Sequence, residues 1–254
     1  MTDILKIIKK KIVCRSEKSK IISFCNKDNA LLSRLLPYHV VDLLNCVIAH
    51  SFKVIFIDFN NFINGIYEKG LSNILEYYSL NNDIEEASII KNIHNFQGSQ
   101  IDFLSSNMET SNYRSDFLKR LLIFLKNRYD LIIINYPYNI NSKNEFNNLN
   151  DLVDLNYLIN SSDIDKDTIK NSDNNTRVFN MNNEELSEDS VLRRYYDNYR
   201  INNNLIFLNN SISKDNDLFN LSHFNWYLKV FSQIIGYIFD IQEQAMLDFI
   251  SKAV

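Results

Sequence analysis

The chain has 254 residues and a formal net charge of −4, with only four glycines, two prolines and three cysteines. That length supports one large domain with a real core, and the slight acidity argues against broad nucleic-acid binding. Cys14, Cys25 and Cys46 form no C-x-x-C pair, which argues against a disulfide scaffold and a cysteine metal site. No apolar run approaches the roughly 18 residues of a membrane span. The N-terminus lacks an apolar core and a small-residue cleavage site, so a reducing, cytoplasmic setting is expected.

The first segment, residues 1–19, reads as a basic amphipathic arm. Ile4, Leu5, Ile8 and Ile12 are set against Lys6, Lys9, Lys10 and Lys11. Such a helix docks in a partner's groove or makes weak contact with an anionic membrane surface. Ile4, Leu5, Lys6, Ile8, Lys9, Lys10 and Ile12 are therefore the candidate partner-binding residues. A frayed terminal helix is the plainer alternative.

Four short continuous apolar runs then read as strands covered on both faces, the pattern of a parallel sheet. They are Lys20 to Cys25, Lys53 to Asp58, Asp130 to Asn135 and Leu205 to Asn209. Weaker runs at Ile101 to Leu104, Leu152 to Ile159 and Arg177 to Met181 add further strands. Helical stripes separate them: Val40, Val41, Leu44, Val47 and Ile48 in one stretch, Phe117, Leu118, Leu121, Leu122 and Leu125 in another. Alternation of strand and helix implies right-handed crossovers and a single α/β domain with a mainly parallel sheet, spanning residues 20–225. The Asn/Asp/Ser-rich tract 160–175 reads as a mobile loop. Residues 226–254 read as a C-terminal helix or helix pair of the same domain.

The first strand runs into "CNKDNA" and then into apolar helix-like sequence. A strand that turns directly into a helix is where phosphate-binding loops occur, and those loops need glycine for close backbone approach and for φ > 0. None is present. Cys25 ends the strand beside that turn, but no His or acid is arranged to activate it, so a packing role is expected. The four histidines make no i, i+4 metal pair. "RRYYDNYR" (Arg193 to Arg200) interleaves basic and aromatic residues, but acidic neighbours make it a solvated surface rather than a nucleic-acid one.

Taken in order, "KIISFCNKDN", "KVIFIDFN", "GLSNILEYYSLNNDIEEASI", "NIHNFQGSQIDFLSSN" and "RYDLIIINYP" resemble the MinD/ParA family of P-loop ATPases. "TRVFNMN" and "NNLIFLNNSISKD" extend the resemblance over nearly the whole chain. "DILKIIKKK…EKSKIISF" is also similar to the FlhG (YlxH/FleN) branch, which controls flagellar number and placement. The resemblance implies a P-loop α/β fold. It also implies a partner for the arm, an FlhF-like GTPase or a flagellar basal-body component, and peripheral placement at the inner face of the membrane.

The same resemblance locates the nucleotide site and shows it degenerate. Lys27 falls at the signature lysine. Asp28 and Asn29 stand where loop glycines belong, and a carboxylate there repels phosphate. Asp58 keeps the first acid of D-x-D, and Asn60 replaces the second. Asn135 replaces the Mg²⁺-linked acid, and a neutral amide is a poor Mg²⁺ partner. Asn180 matches the adenine-contacting Asn, though in so Asn-rich a chain coincidence explains it equally well. These positions imply no cofactor, no bound metal and no catalytic residue. The expected function is that of a non-hydrolysing regulatory protein acting through protein partners. The alternatives are an active MinD/ParA-type ATPase for positioning or partition, and a DNA-associated partition accessory.

Overall fold

The computed structural model describes residues 19–26, 36–38, 40–41, 44–45, 48, 52–59, 70–95, 99–106, 115–137, 152–160, 176–180 and 234–238. The chain divides into two compact units. The larger holds the whole described sheet. Its strands are β1 (Lys20–Asn26), β2 (Val54–Asp58), β3 (His94–Asn95), β4 (Ile101–Ser105), β5 (Leu131–Pro137), β6 (Leu155–Asn160) and β7 (Thr176–Asn180). Its helices are α1 (Leu71–Asn81), α2 (Glu86–Asn92) and α3 (Ser115–Lys126).

The strand order is β3-β4-β2-β5-β1-β6-β7. Every neighbouring pair is parallel except β3–β4, which is antiparallel. The expected α/β class, with a mainly parallel sheet flanked by helices, is the one observed. Six of the seven strands expected from sequence are present, with ends shifted by up to three residues. The seventh, Leu205 to Asn209, lies outside the described residues. The tract expected to be a loop gives its first residue, Asn160, to β6, and 161–175 lie outside the described residues. β3 was not foreseen.

Both sheet faces are buried, which is why the central strands are apolar without alternation. One face carries Ile21 and Cys25 of β1, Ile55 and Ile57 of β2, Leu104 of β4 and Ile132, Ile134 and Tyr136 of β5. Against it pack Leu71, Ile74, Leu75 and Tyr78 of α1, Ile89 of α2, and Phe117, Leu118, Leu121, Leu122 and Leu125 of α3. The α3 residues are the expected stripe, at the i, i+4, i+8 spacing of one helix face. The other sheet face carries Ile22 and Phe24, Val54 and Phe56, Ile101 and Phe103, Leu131 and Ile133, and Tyr157. Each of these is at most 1% exposed. Phe24 stacks on Tyr157 with ring centroids 5.3 Å apart, and Phe56 meets Phe103 at 5.6 Å.

Helices α1 and α2 form a hairpin. Asn82 closes α1 in the left-handed conformation (φ 53°), and its N–H donates to Tyr78 O. Asn tolerates that conformation better than most residues because its short polar side chain can satisfy itself locally. Asn73 of α1 then donates to Asn92 of α2 at 3.3 Å. On α3, Asp116 accepts the Tyr78 hydroxyl at 2.6 Å, and Arg120 lies over the Tyr78 ring.

The smaller unit is described at Leu36, Pro37, Tyr38, Val40, Val41, Leu44 and Asn45, all helical, at Ile48 and Phe52, and at the helical run 234–238. Val40, Val41, Leu44 and Ile48 are buried as expected. Leu36, in the apolar helix-like sequence after β1, is helical, and so is Pro37. Ile234, Ile235 and Ile238 share a buried stripe of the expected C-terminal helix.

Candidate functional site

In parallel strands all the carboxyl ends point to one edge, so positions near the ends of β4, β2 and β5 stand together. On the face carrying Phe56 and Phe103, each of these strands runs apolar and then turns polar near its carboxyl end. Ile101 and Phe103 lead to Ser105, Val54 and Phe56 lead to Asp58, and Leu131 and Ile133 lead to Asn135. The register sets the three in a row: Asp58 is paired with Ser105 on one side and with Asn135 on the other. Asp58 and Asn135 are fully buried, and Ser105 is nearly so.

A buried carboxylate is tolerated only when donors meet it. Here Asn135 Nδ2 donates to Asp58 Oδ1 at 3.0 Å, with both groups buried. A carboxylate only accepts, so the amide must present its nitrogen. The backbone reinforces the row one residue further on. Phe59 N donates to Asn135 O, and Ser106 N donates to Asp58 O, both at 2.8 Å. The carboxyl ends of the three strands are thus tied by main chain and by one side-chain pair.

Gly70, which precedes α1, reaches the same edge. A Cβ built on it would lie 2.3 Å from the Ser105 carbonyl oxygen. Its φ of 164° is ordinary extended backbone, so close approach, not conformation, is what demands glycine here. The Cys25 thiol points to the opposite sheet face. Burial pushes its pKa far above the usual range, and a hydrogen bond with Tyr136 pulls the other way more weakly. It is a protonated packing group, in line with the expectation from sequence.

Of the sequence-derived site positions, the structure brings Asp58 and Asn135 into contact. Asn180 ends β7, three strands away from β5, in register with Asn160. Lys27, Asp28, Asn29 and Asn60 lie outside the described residues, as do the arm positions Ile4, Leu5, Lys6, Ile8, Lys9, Lys10 and Ile12. Sequence reasoning missed Ser105, Ser106 and the role of Gly70. The available signal was "FLSS", where an apolar strand turns polar beside the other two strand ends. Among the described residues no group of three or more His, Cys, Asp or Glu side chains could hold a metal ion. Among the described residues of the row, Asp58 brings the one carboxylate, and Asn135 brings an uncharged amide, a weaker Mg²⁺ donor than a carboxylate.

A polar row at the carboxyl edge of an open, mainly parallel sheet defines the α/β class in which ligands meet strand ends. Within that class the fold is ParA-like. The chain superposes on the ParA family ATPase from Chlorobium tepidum TLS with a TM-score of 0.54 and 10% identity, over 83% of this chain and 99% of that one. The chimerical protein CapA2B2 is matched at 16% identity over 63% of this chain and 71% of that one, with a TM-score of 0.45. No family model and none of the curated proteins matches the chain. Among the described residues no helix is long and apolar enough to cross a membrane.

Proposed function

We propose that this chain is a non-hydrolysing MinD/ParA-like regulatory protein that acts through protein–protein interaction. The observation that carries the reading is the Asp58–Asn135 pair. Phosphoryl transfer needs charge at this edge to hold Mg²⁺ and phosphate. Among its described residues the edge instead pairs one acid, Asp58, with the uncharged amide of Asn135. The glycine-free sequence after β1, with Asp28 and Asn29, supports the same reading. Calorimetry with ATP and Mg²⁺ tests it: no heat of binding is expected, and micromolar affinity overturns it. The ParA-like fold and the retained Asp58 favour a second reading, an active positioning ATPase. That reading requires the same titration to succeed, with ATP shifting light scattering from monomer to dimer mass.

The finer reading is an FlhG-like role in flagellar number, placement or assembly, at the inner face of the membrane. It rests on the basic amphipathic pattern of residues 1–19 and on the sequence resemblance. The partner would be an FlhF-like GTPase or a basal-body component. Deleting residues 1–18 should abolish capture of that partner while leaving the melting temperature almost unchanged. Undiminished capture places the binding surface elsewhere. A DNA-associated role would show instead as salt-dependent binding to duplex.

A further inference from the structure

We propose that residues 83–93, the turn after α1 together with α2, form a strap whose closure is controlled by ionic strength. Charged ties to the α3 segment hold it closed, and it opens as a local unit while α1 and the sheet stay in place. The two helices of the hairpin are held differently. α1 buries Leu71, Ile74, Leu75 and Tyr78, and Gly70 seats its first turn against Ser105. α2 buries one apolar side chain, Ile89, beside Asn92, with Ile84 and Ile93 partly covered. Glu86, Ala87, Ile90 and Lys91 are exposed, and the helix starts without a side-chain cap. A segment with so little core of its own opens at low cost, so its ties to neighbours decide how often it does. Arg120 of α3 lies 5.8 Å over the Tyr78 ring and donates to Asp83 Oδ1 at 3.3 Å. Arg128, just past α3, lies 4.8 Å over the Phe124 ring and pairs with Glu86. Each guanidinium thus has an aromatic ring behind it and an acid of the strap before it. The four charged groups are open to water, from 39% exposure at Arg128 to 78% at Asp83, so salt screens them. Such pairs add little to global stability, but they weigh heavily against a small local opening. One further tie, Asn73 to Asn92 at 3.3 Å, is uncharged and indifferent to salt. Both ends of the strap are pinned. Asn82 N donates to Tyr78 O, and His94 and Asn95 pair with β4. Opening is thereby confined to the residues between them.

Amide hydrogen exchange of the full-length protein tests this, at one pH, in about 20 mM and about 1 M NaCl, the latter cutting the screening length to roughly 3 Å. The reporters are Ser88 and Ile89, whose N–H groups donate to Glu85 O, and Ile93, whose N–H donates to Ile90 O. Their exchange should quicken about fivefold at high salt, the loss expected of two exposed ion pairs. Amides of α1, β2 and β5 should change less than about twofold, since their protection does not rest on those pairs. In Arg120→Gln/Arg128→Gln, which removes both charges and keeps polar side chains, the three amides should exchange at low salt as fast as the wild type does at high salt. Their salt response should vanish. The proposal is overturned if the wild-type strap responds to salt no more than α1 does, if it exchanges only together with β2 and β5, or if the double variant keeps the full salt response. The wild-type comparison decides the matter by itself should the variant fail to fold.

Discussion

The two edges of the sheet use carboxylates in different ways. At the amino edge, Asp130 and Asp154 each stand one residue before a strand and turn back on its neighbour. Asp130 Oδ2 accepts Lys53 N at 2.8 Å, and Asp154 Oδ2 accepts Ile21 N at 2.7 Å. The backbone closes both loops: Asp130 N donates to Lys53 O at 2.8 Å and Asp154 N to Ile21 O at 2.9 Å. These acids are partly solvated and serve main-chain register. At the carboxyl edge Asp58 is sealed from water, and the donor described for its side chain is another side chain. A main-chain donor is free to any sequence that keeps the fold. A side-chain donor is a choice made at a single position, so the carboxyl edge is where one substitution changes the chemistry of the molecule.

If that contrast is right, damage should be greatest at the carboxyl edge. Gly70→Ala should cost most, about 3 kcal/mol, because its Cβ meets a main-chain oxygen that cannot swing aside; urea unfolding measures it. Next comes Asn135→Leu, which takes the amide from a buried carboxylate at a cost of about 2 kcal/mol. Asp154→Ala and Asp130→Ala should cost about 1.5 and 1 kcal/mol, since water can replace part of what each lost carboxylate provided. Losses at the amino edge that equal those at the carboxyl edge would erase the distinction.

The smallest effect is a pH effect at Tyr129, just before β5. Its hydroxyl donates to Asp102 Oδ2 at 2.7 Å. Burial first, and then this bond, raise the phenol above its ordinary value. A raised phenol keeps its proton in the fold longer than in the unfolded chain. Its contribution is therefore complete below about pH 10 and drains away as pH climbs further. Tyr129→Phe should cost about 0.5 kcal/mol at neutral pH and flatten the alkaline limb of a stability–pH curve. An unchanged alkaline limb would show that Tyr129 does not set it.

Much of the fold was legible because its signals are local. The runs "IISF", "VIFI" and "LIIIN" are continuous and apolar because both faces of their strands are covered, and Phe117 to Leu125 repeat at helical period because one face is. β3 was not legible: two residues, His94 and Asn95, carry no periodicity. At the site, the positions of Asp58 and Asn135 followed from motif order, but their hydrogen bond did not. It depends on β5 lying beside β2, a pairing between residues 77 apart in sequence. Gly70 likewise stood at the head of a recognisable "GLSNIL" helix, yet the reason for glycine is a carbonyl oxygen 35 positions away.

β3 also bears on how this protein behaves in a crowded solution. An exposed parallel strand offers unpaired N–H and C=O groups to any passing chain, and sheets grow by such additions. Here β4 is met by a two-residue strand running the other way, and the Asn95 side chain donates to Asp102 at 2.9 Å. A template that short and reversed gives an incoming strand almost nothing to copy. Lengthening β3 would be expected to turn this border into a site of self-association.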